Sequence, residues 1–255
     1  MRSDDDVLVI AGSATYPDGF RLERHRHDDS GQLTFCIGGV MRVASDDFAW
    51  LSPPTRAIWL PPGAPHEIVM HGEVAARFLY LNPELAAPLP GTPQVLEVAP
   101  LLRELILHVL TLRTLRASKP AHRRMAEFVV DLLCEARPVD LALPLPRDRR
   151  ARALAERLQA APAEAAGLGE LARGAGASLR TLQRLFPAET GLTLEAWRQK
   201  ARLLAGVASL SAGAPVAVTA AGCGYDSPSA FITAFKRQFG VTPGRYRAGD
   251  PSPPR

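Results

Sequence analysis

Residues 220–247 read AAGCGYDSPSAFITAFKRQFGVTPGRYR, and this stretch carries the clearest folding pattern in the chain. Phenylalanines recur every four residues, the spacing of one helix face, at Phe231, Phe235 and Phe239. Ser227 directly precedes this helix, where its hydroxyl can accept a hydrogen bond from the first turn. An upstream helix starting at Pro215 is expected to end in the turn at 222–224. The pattern predicts a helix-turn-helix whose second helix packs through its aromatic side.

A second segment of this kind precedes it at residues 168–191, LGELARGAGASLRTLQRLFPAETG. A short helix with an apolar side is followed by a glycine-containing turn, and Ser178 is placed to cap the next helix. That helix is expected to bury its apolar residues: Leu179, Leu182, Leu185 and Phe186. Its long polar side chains then face outward: Arg180, Gln183 and Arg184. Such side chains hydrogen bond to base edges and phosphates. A longer helix over 193–210 connects the two segments.

The charge is distributed unevenly along the 255 residues. Residues 145–255 carry 16 Lys and Arg against 8 Asp and Glu, whereas the preceding residues carry 14 against 18. A basic half joined to an acidic half indicates that one half meets a polyanion such as nucleic acid.

The pattern changes along the chain and predicts an α+β protein of two domains. Short apolar runs separated by Gly, Pro and Asp indicate strands up to about residue 85, and amphipathic helices follow up to 136. A proline-rich stretch then indicates a linker. The predicted parts are a β-barrel (1–90), a pair of helices packing on it or on a second subunit (91–137), the linker (138–149), an all-α domain (150–248) and a disordered tail (249–255).

The helical pair has one apolar stripe on each helix. The stripes comprise Leu102, Leu105, Ile106 and Val109 on the first helix, and Met125, Phe128, Val129 and Leu132 on the second. Packing on the barrel accounts for one stripe each, and packing on a second copy would give the homodimer that we expect.

The C-terminal motif closely resembles the signature of AraC/XylS-type transcription regulators. The matching positions are Ala220, Gly224, Tyr225, Asp226, Ser227, Ser229, Phe231, Phe235, Lys236, Arg237, Phe239, Gly240, Thr242, Pro243, Tyr246 and Arg247. The resemblance covers residues 150–248 and implies two helix-turn-helix units that insert their second helices into adjacent major-groove segments of double-stranded DNA.

The resemblance also implies which side chains meet the DNA. The positions that match the contact sites of the family are Arg180, Gln183 and Arg184 in the first recognition helix, and Ser229, Ala230 and Thr233 in the second, with Lys236 and Arg237 nearer the phosphates. The second helix has few long polar side chains, so we expect it to read methyl groups or to position the backbone. Arg184 has a structural alternative, in which it holds the fold together.

The N-terminal half contains a candidate metal site in HRHDDSGQLTF (25–35) and LPPGAPH (60–66). On a strand, His25 and His27 share one face. Their spacing with Gln32 and with a later His66 resembles the two motifs of the cupin barrel, with Gln32 where a glutamate ligand is commoner. Three imidazoles and an amide oxygen suit one divalent transition metal, namely Zn, Ni, Fe or Mn.

Several interpretations of this half stay open. A metal or small-molecule effector can bind in the barrel, the barrel can bind an organic ligand without metal, or it can serve dimerisation alone. A cupin metalloenzyme is disfavoured because no catalytic base is evident, and we expect no enzyme activity. Cys36 lines the same cavity or is a small core residue, and His71 and His108 are expected to be unrelated to the site.

The remaining features indicate a cytoplasmic protein. The first residues lack the basic segment and cleavage site of a signal peptide, and no run is apolar enough to span a membrane. Three cysteines lie far apart without a CxxC pair, which favours reduced thiols.

Overall fold

The computed structural model describes residues 6–247, which divide by their contacts into two compact units. One unit runs through Ser45 and continues from Trp50 to Leu141, and the other comprises Asp46–Ala49 and the chain from Ala142 onward. The first is rich in strands and the second is helical, so the predicted two-domain α+β class is confirmed.

The strands form two sheets. Their bounds are β1 (Val7–Tyr16), β2 (Arg21–His25), β3 (Gly31–Cys36), β4 (Val40–Ala44), β5 (Phe48–Ser52), β6 (Arg56–Leu60), β7 (His66–His71), β8 (Val74–Leu81), β9 (Gln94–Glu97), β10 (Thr114–Arg116) and β11 (Ala142–Pro144). The six-stranded sheet has the order β10-β1-β8-β3-β6-β9, and the five-stranded sheet has the order β11-β5-β4-β7-β2. The strand-rich fold predicted for the N-terminal part is confirmed, and its strands are arranged in these two sheets.

Strand β3 lies at the centre of this arrangement and is buried along its whole length. Successive side chains of a strand point to opposite faces. Leu33 and Phe35 belong to the apolar core that also contains the buried faces of the long helices. Gln32 therefore points away from that core, toward the other face of the six-stranded sheet, and it is 2% exposed.

Three helices complete the first unit: α1 (Pro83–Ala86), α2 (Pro100–Leu112) and α3 (Pro120–Glu135). The stripes of α2 and α3 pack on the six-stranded sheet through Leu102, Ile106, Val109 and Val129, which are at most 1% exposed. Phe128 is the exception, because it is 43% exposed. The segment 91–137 also contributes β9 and β10, which pair with β6 and β1. The sequence pattern predicted only helices in this segment, because strands as short as β9 and β10 show no periodicity of their own.

The second unit consists of seven helices among the described residues. They are α4 (Arg149–Ala160), α5 (Leu168–Gly174), α6 (Leu179–Thr190), α7 (Leu194–Ser211), α8 (Val216–Gly222), α9 (Pro228–Phe239) and α10 (Pro243–Arg247). Trp197 of the long helix α7 is fully buried, and its ring meets that of Phe186 of α6 edge-on with centroids 5.4 Å apart. Its Nε1 donates a hydrogen bond to the Pro144 carbonyl at 2.6 Å. The connecting helix therefore organises the core of this unit.

Two helix-turn-helix units are present, α5–α6 and α8–α9, as predicted. The Oγ atoms of Ser178 and Ser227 accept hydrogen bonds from the amides of the third residue of each second helix, at 3.1 and 3.3 Å. The turns contain Gly176 and Gly224 with φ of +71° and +72°, a conformation that favours glycine. One detail differs from prediction: Pro215 is the residue before α8 rather than its first residue. Because its φ is −60° and its ψ is 146°, it is extended.

The predicted linker contains ordered structure. Strand β11 occupies 142–144, and α4 begins at Arg149, where the Asp148 carboxylate accepts hydrogen bonds from the first amides. The predicted disordered tail, 249–255, lies outside the described residues. Within residues 6–247, no helix is both long enough and apolar enough to cross a bilayer.

Candidate functional site

The three predicted histidine ligands lie together in the first unit. His25 ends β2 and His66 begins β7, and the two are paired across these strands, so their side chains point to the same side. The ring centroids are 4.4 Å apart for His25 and His66, 5.1 Å for His25 and His27, and 5.7 Å for His27 and His66. Their potential ligand atoms lie within 4.8 Å of one another.

In two of these rings, a backbone carbonyl determines which nitrogen carries a proton. Nδ1 of His25 is 2.7 Å from the Glu23 carbonyl, and Nδ1 of His66 is 2.9 Å from the Ala64 carbonyl. Since a carbonyl only accepts, each Nδ1 carries a proton, and in a neutral ring Nε2 then has a free lone pair. Histidines that bind metals are held in this way by a hydrogen bond from the other nitrogen.

Three buried polar atoms in the cluster lack hydrogen bonds of ordinary geometry within the described part of the chain. They are Nε2 of His27, Nε2 of His66 and Oε1 of Gln32. All three are lone-pair donors of the kind that coordinates transition metals. Leaving such atoms unpaired in a protein interior is costly, so their grouping makes these three residues a candidate ligand site.

Burial favours the neutral form of His66 and His27. Desolvation lowers the pKa of His66 to about 4, helped by the neighbouring rings and opposed by the Ala64 carbonyl. Desolvation and the charge of His25 likewise lower the pKa of His27, against a smaller opposing effect of the Gln32 amide. The neutral ring is the form that binds a metal ion.

A cavity of about 320 Å³ adjoins the cluster. Its wall is formed by Gly12, Ser13, Ala14, Tyr16, Leu22, His25, Gln32, Phe78 and Tyr80. Tyr80 pairs in register with Gln32, and its ring meets His27 edge-on with centroids 5.0 Å apart. Burial raises the pKa of Tyr80, which therefore keeps its proton. The sequence reasoning missed Tyr16, Phe78 and Tyr80, although the alternation along β8 places the last two on one face.

Other residues noted in the sequence lie outside this site. Cys36 is fully buried, and its thiol contacts the Ser52 carbonyl at 3.2 Å. Burial raises the pKa of this thiol to about 12, as expected for a core cysteine. His71 and His108 are exposed and do not belong to the cluster.

The second unit presents its own candidate surface on α6. Arg180, Gln183 and Arg184 are exposed, whereas Leu182, Leu185 and Phe186 are buried. Leu179, which was expected in the core, is only partly buried. The three long polar side chains therefore share the outward side of a capped helix, as a recognition helix requires.

Helix α9 presents a different outward side. Its candidate residues are all exposed: Ser229, Ala230, Thr233, Lys236 and Arg237. Phe231 and Phe235 are fully buried, and Phe239 is partly buried. Small side chains therefore occupy the first turns, and the two cations lie in the last turn.

Comparisons with known proteins agree with this division. The model of the AraC-like ligand binding domain matches residues 7–142, and that of a helix-turn-helix domain matches residues 171–249. The HTH-type transcriptional regulator NimR of Escherichia coli is 35% identical over 224 residues, which are 88% of this chain and 81% of NimR. The HTH-type transcriptional regulator RipA of Corynebacterium glutamicum is 37% identical over 106 residues, 42% of this chain and 32% of RipA.

Solved structures of low identity also match over the whole length. Fatty-acid-bound ToxT of Vibrio cholerae has 9% identity and a TM-score of 0.41, with 97% of each chain covered. The matches to the AraC-like ligand binding domain and to the helix-turn-helix domain define a DNA-binding transcription regulator. This chain belongs to the AraC family of such regulators.

Proposed function

We propose that this regulator senses a small effector through a divalent transition metal held by His25, His27, His66 and Gln32. The observation that carries the proposal is the grouping of three imidazoles beside Gln32, where Nε2 of His27, Nε2 of His66 and Oε1 of Gln32 are buried without partners among the described residues. Zn, Ni, Fe and Mn all accept such donors, and geometry and availability select among them.

The distances support this proposal. Metal–nitrogen bonds of about 2.0–2.1 Å allow two ligand nitrogens to lie at most about 4.2 Å apart across one ion. The ligand atoms of the three histidines lie within 4.8 Å of one another, so closing these rings around an ion requires small side-chain movements only. When bound, the metal would supply open coordination positions for a ligand in the adjoining cavity.

Strands β1 and β8 offer a path from this site to the rest of the sheet domain. Both contribute residues to the cavity wall, and both also carry residues of the core that α2 and α3 complete. A ligand that prefers one arrangement of these strands therefore shifts the packing of the helices. Such a shift controls DNA binding only if the effector binds the two states with different affinity.

A homodimer through α2 and α3 extends this proposal. Leu101 on α2 is 57% exposed and Phe128 on α3 is 43% exposed, whereas Ile106 and Val129 of the same helices are buried in the core. Apolar side chains of this size on a helix surface suit contact with a second copy. The movement of these helices would then alter the dimer.

The two recognition helices are proposed to read DNA in different ways. Arg180, Gln183 and Arg184 of α6 can make bidentate hydrogen bonds to base edges, Arg to guanine and Gln to adenine. Ala230 and Thr233 of α9 offer methyl groups, which suit thymine methyls, while Lys236 and Arg237 suit phosphates.

Thymine-to-uracil replacement in a DNA site selected with the full-length protein tests this division, since it removes only the methyl group. We expect weaker binding for replacements under α9 and not under α6. Equal effects in both halves would contradict it.

A metal-free organic ligand is the second candidate effector, because the cavity also has apolar walls. Elemental analysis of the purified protein, beside a His25→Ala/His27→Ala variant, separates the two. Stoichiometric metal that is absent from the variant supports the metal site. Absence of metal after incubation with Zn, Ni, Fe(II) and Mn would favour the organic ligand.

Catalysis is not proposed. The relatives reported above are named as transcriptional regulators, and sensing alone accounts for the cavity.

A further inference from the structure

The histidine cluster lacks a negative charge that would compensate a metal ion. Among the described residues, no carboxylate or thiolate belongs to the group, and Gln32 is neutral. The carboxylates nearest in sequence are engaged elsewhere, Asp28 with Arg26 at 2.9 Å and Glu67 with Arg21 at 3.3 Å. A divalent ion on four neutral donors therefore keeps its full charge of about +2 in a partly desolvated site.

The adjoining cavity also lacks charge. Its wall, as far as the structure describes it, contains no Lys, Arg, Asp or Glu. An anion that enters the cavity of the metal-free protein thus finds no cation there. With the metal present, the anion gains a strong electrostatic partner in a region of low dielectric constant.

The uncharged side chains of the cavity wall indicate the chemistry of the rest of the ligand. Leu22 and the Phe78 ring provide an apolar surface, and the Tyr16 and Tyr80 hydroxyls offer hydrogen-bond donors. The volume of about 320 Å³ lies at the small end of ligand pockets.

We infer that the effector is a small organic carboxylate with an apolar body, which binds the metal directly through its carboxylate group. This inference rests on the proposed metal site. It assigns to Gln32 a specific role: keeping the site without negative charge, so that the effector supplies it.

The test uses the full-length chain, stripped with a chelator and loaded with Co(II), whose visible spectrum reports its ligands. Benzoate is the probe, and benzamide is a matched neutral molecule of almost the same shape. We expect benzoate to change the Co(II) spectrum and to raise the melting temperature of the loaded protein. Benzamide should do neither, and benzoate should not stabilise the stripped protein.

The Gln32→Glu variant tests the role of charge. It should retain or strengthen Co(II) binding and weaken benzoate by about tenfold or more, since a fixed carboxylate competes for the ion. Gln94→Glu in β9 makes the same change outside the cavity and should leave benzoate affinity unchanged.

The outcomes distinguish failure of the carboxylate inference from failure of the proposed metal site. Co(II) bound without any response to benzoate would overturn this inference alone, as would equal benzoate affinity in the stripped protein or in Gln32→Glu. Failure of the wild-type chain to bind Co(II) would overturn the proposed metal site and this inference with it.

Discussion

His25 and His66 face each other across the antiparallel pair β2–β7, with ring centroids 4.4 Å apart, and each fixes its Nδ1 on a backbone carbonyl two residues earlier. Because both rings are held by backbone carbonyls, their Nε2 atoms are oriented without the help of another side chain. The backbone thus prepares the site before a ligand arrives, which lowers the cost of ordering it.

The first prediction concerns metal content. His25→Ala/His27→Ala removes two of the four donors, and both residues are only partly buried, so the fold should persist. We expect metal binding to be lost, together with the stabilisation that a bound ligand gives to the folded state. Elemental analysis and thermal unfolding with added Zn measure both. His108→Ala on α2 is the control, and metal retained by the double variant would refute the assignment.

The second prediction concerns the contact between α7 and α9. A Cβ added at Gly206 would lie 2.9 Å from the ring of Phe231, which is fully buried. Gly206→Ala should therefore lower the free energy of unfolding by about 1 kcal/mol, because overpacking exceeds the gain in helix propensity. Gly169→Ala on α5 meets nothing within 4 Å and should raise it by about 0.5–1 kcal/mol. Chemical denaturation compares the two, and equal shifts would contradict the packing argument.

The third prediction separates base contacts from phosphate contacts. Gln183→Ala should cost about 1–3 kcal/mol on a selected site and relax the preference at one base pair. Lys236→Ala should weaken binding to all sequences and reduce the salt slope by about one. Fluorescence anisotropy at several salt concentrations distinguishes them. If Gln183→Ala weakened binding equally to all DNA sequences, Gln183 would not contact a base.

The fourth prediction concerns acid stability. Hydrogen bonds from Arg150 and Ala151 lower the pKa of Asp148, the cap of α4, to about 2 from 3.8. Because the pKa of Asp148 is lower in the folded state, its charged carboxylate stabilises the fold. This stabilisation is complete above about pH 4 and disappears as the pH falls toward 2. Asp148→Asn keeps a capping oxygen and removes the charge, so its deficit against wild type should shrink over that range. A deficit independent of pH would exclude the charge as its cause.

The fifth prediction concerns self-association. Phe128→Ser replaces an exposed ring of α3 without opening the core. If α3 forms the dimer interface, the variant should dissociate at a higher protein concentration in sedimentation analysis. Ile10→Ser, which changes an apolar side chain of β1 that is 52% exposed, is the matched control. Unchanged association of Phe128→Ser would remove this face from the interface.

The helical half could be predicted in detail because its signals are local. Ser178 and Ser227 cap the helices that follow them, and the spacing of the buried phenylalanines defines one face of α9. Each of these features depends on residues within a few positions of one another.

The sheet half was less predictable because its pairing is set by contacts far apart in sequence. Strands β9 and β10 contain only four and three residues, too few for a periodic pattern, and they depend on pairing with β6 and β1. The cluster of His25, His27 and His66 was anticipated from spacing. Tyr80 was not, because only the register between β3 and β8 brings it opposite Gln32.

The most direct test of the account is the affinity of the full-length protein for its selected DNA site, with and without the metal. We would measure the dissociation constant of chelator-stripped protein, of Co(II)-loaded protein, and of loaded protein with benzoate. We predict that the dissociation constant of at least one of the loaded states differs from that of the stripped state by about fivefold or more, in either direction. The difference should be absent from the His25→Ala/His27→Ala variant. The same dissociation constant in all three states, with Co(II) and benzoate shown to be bound, would contradict control of DNA binding through this site.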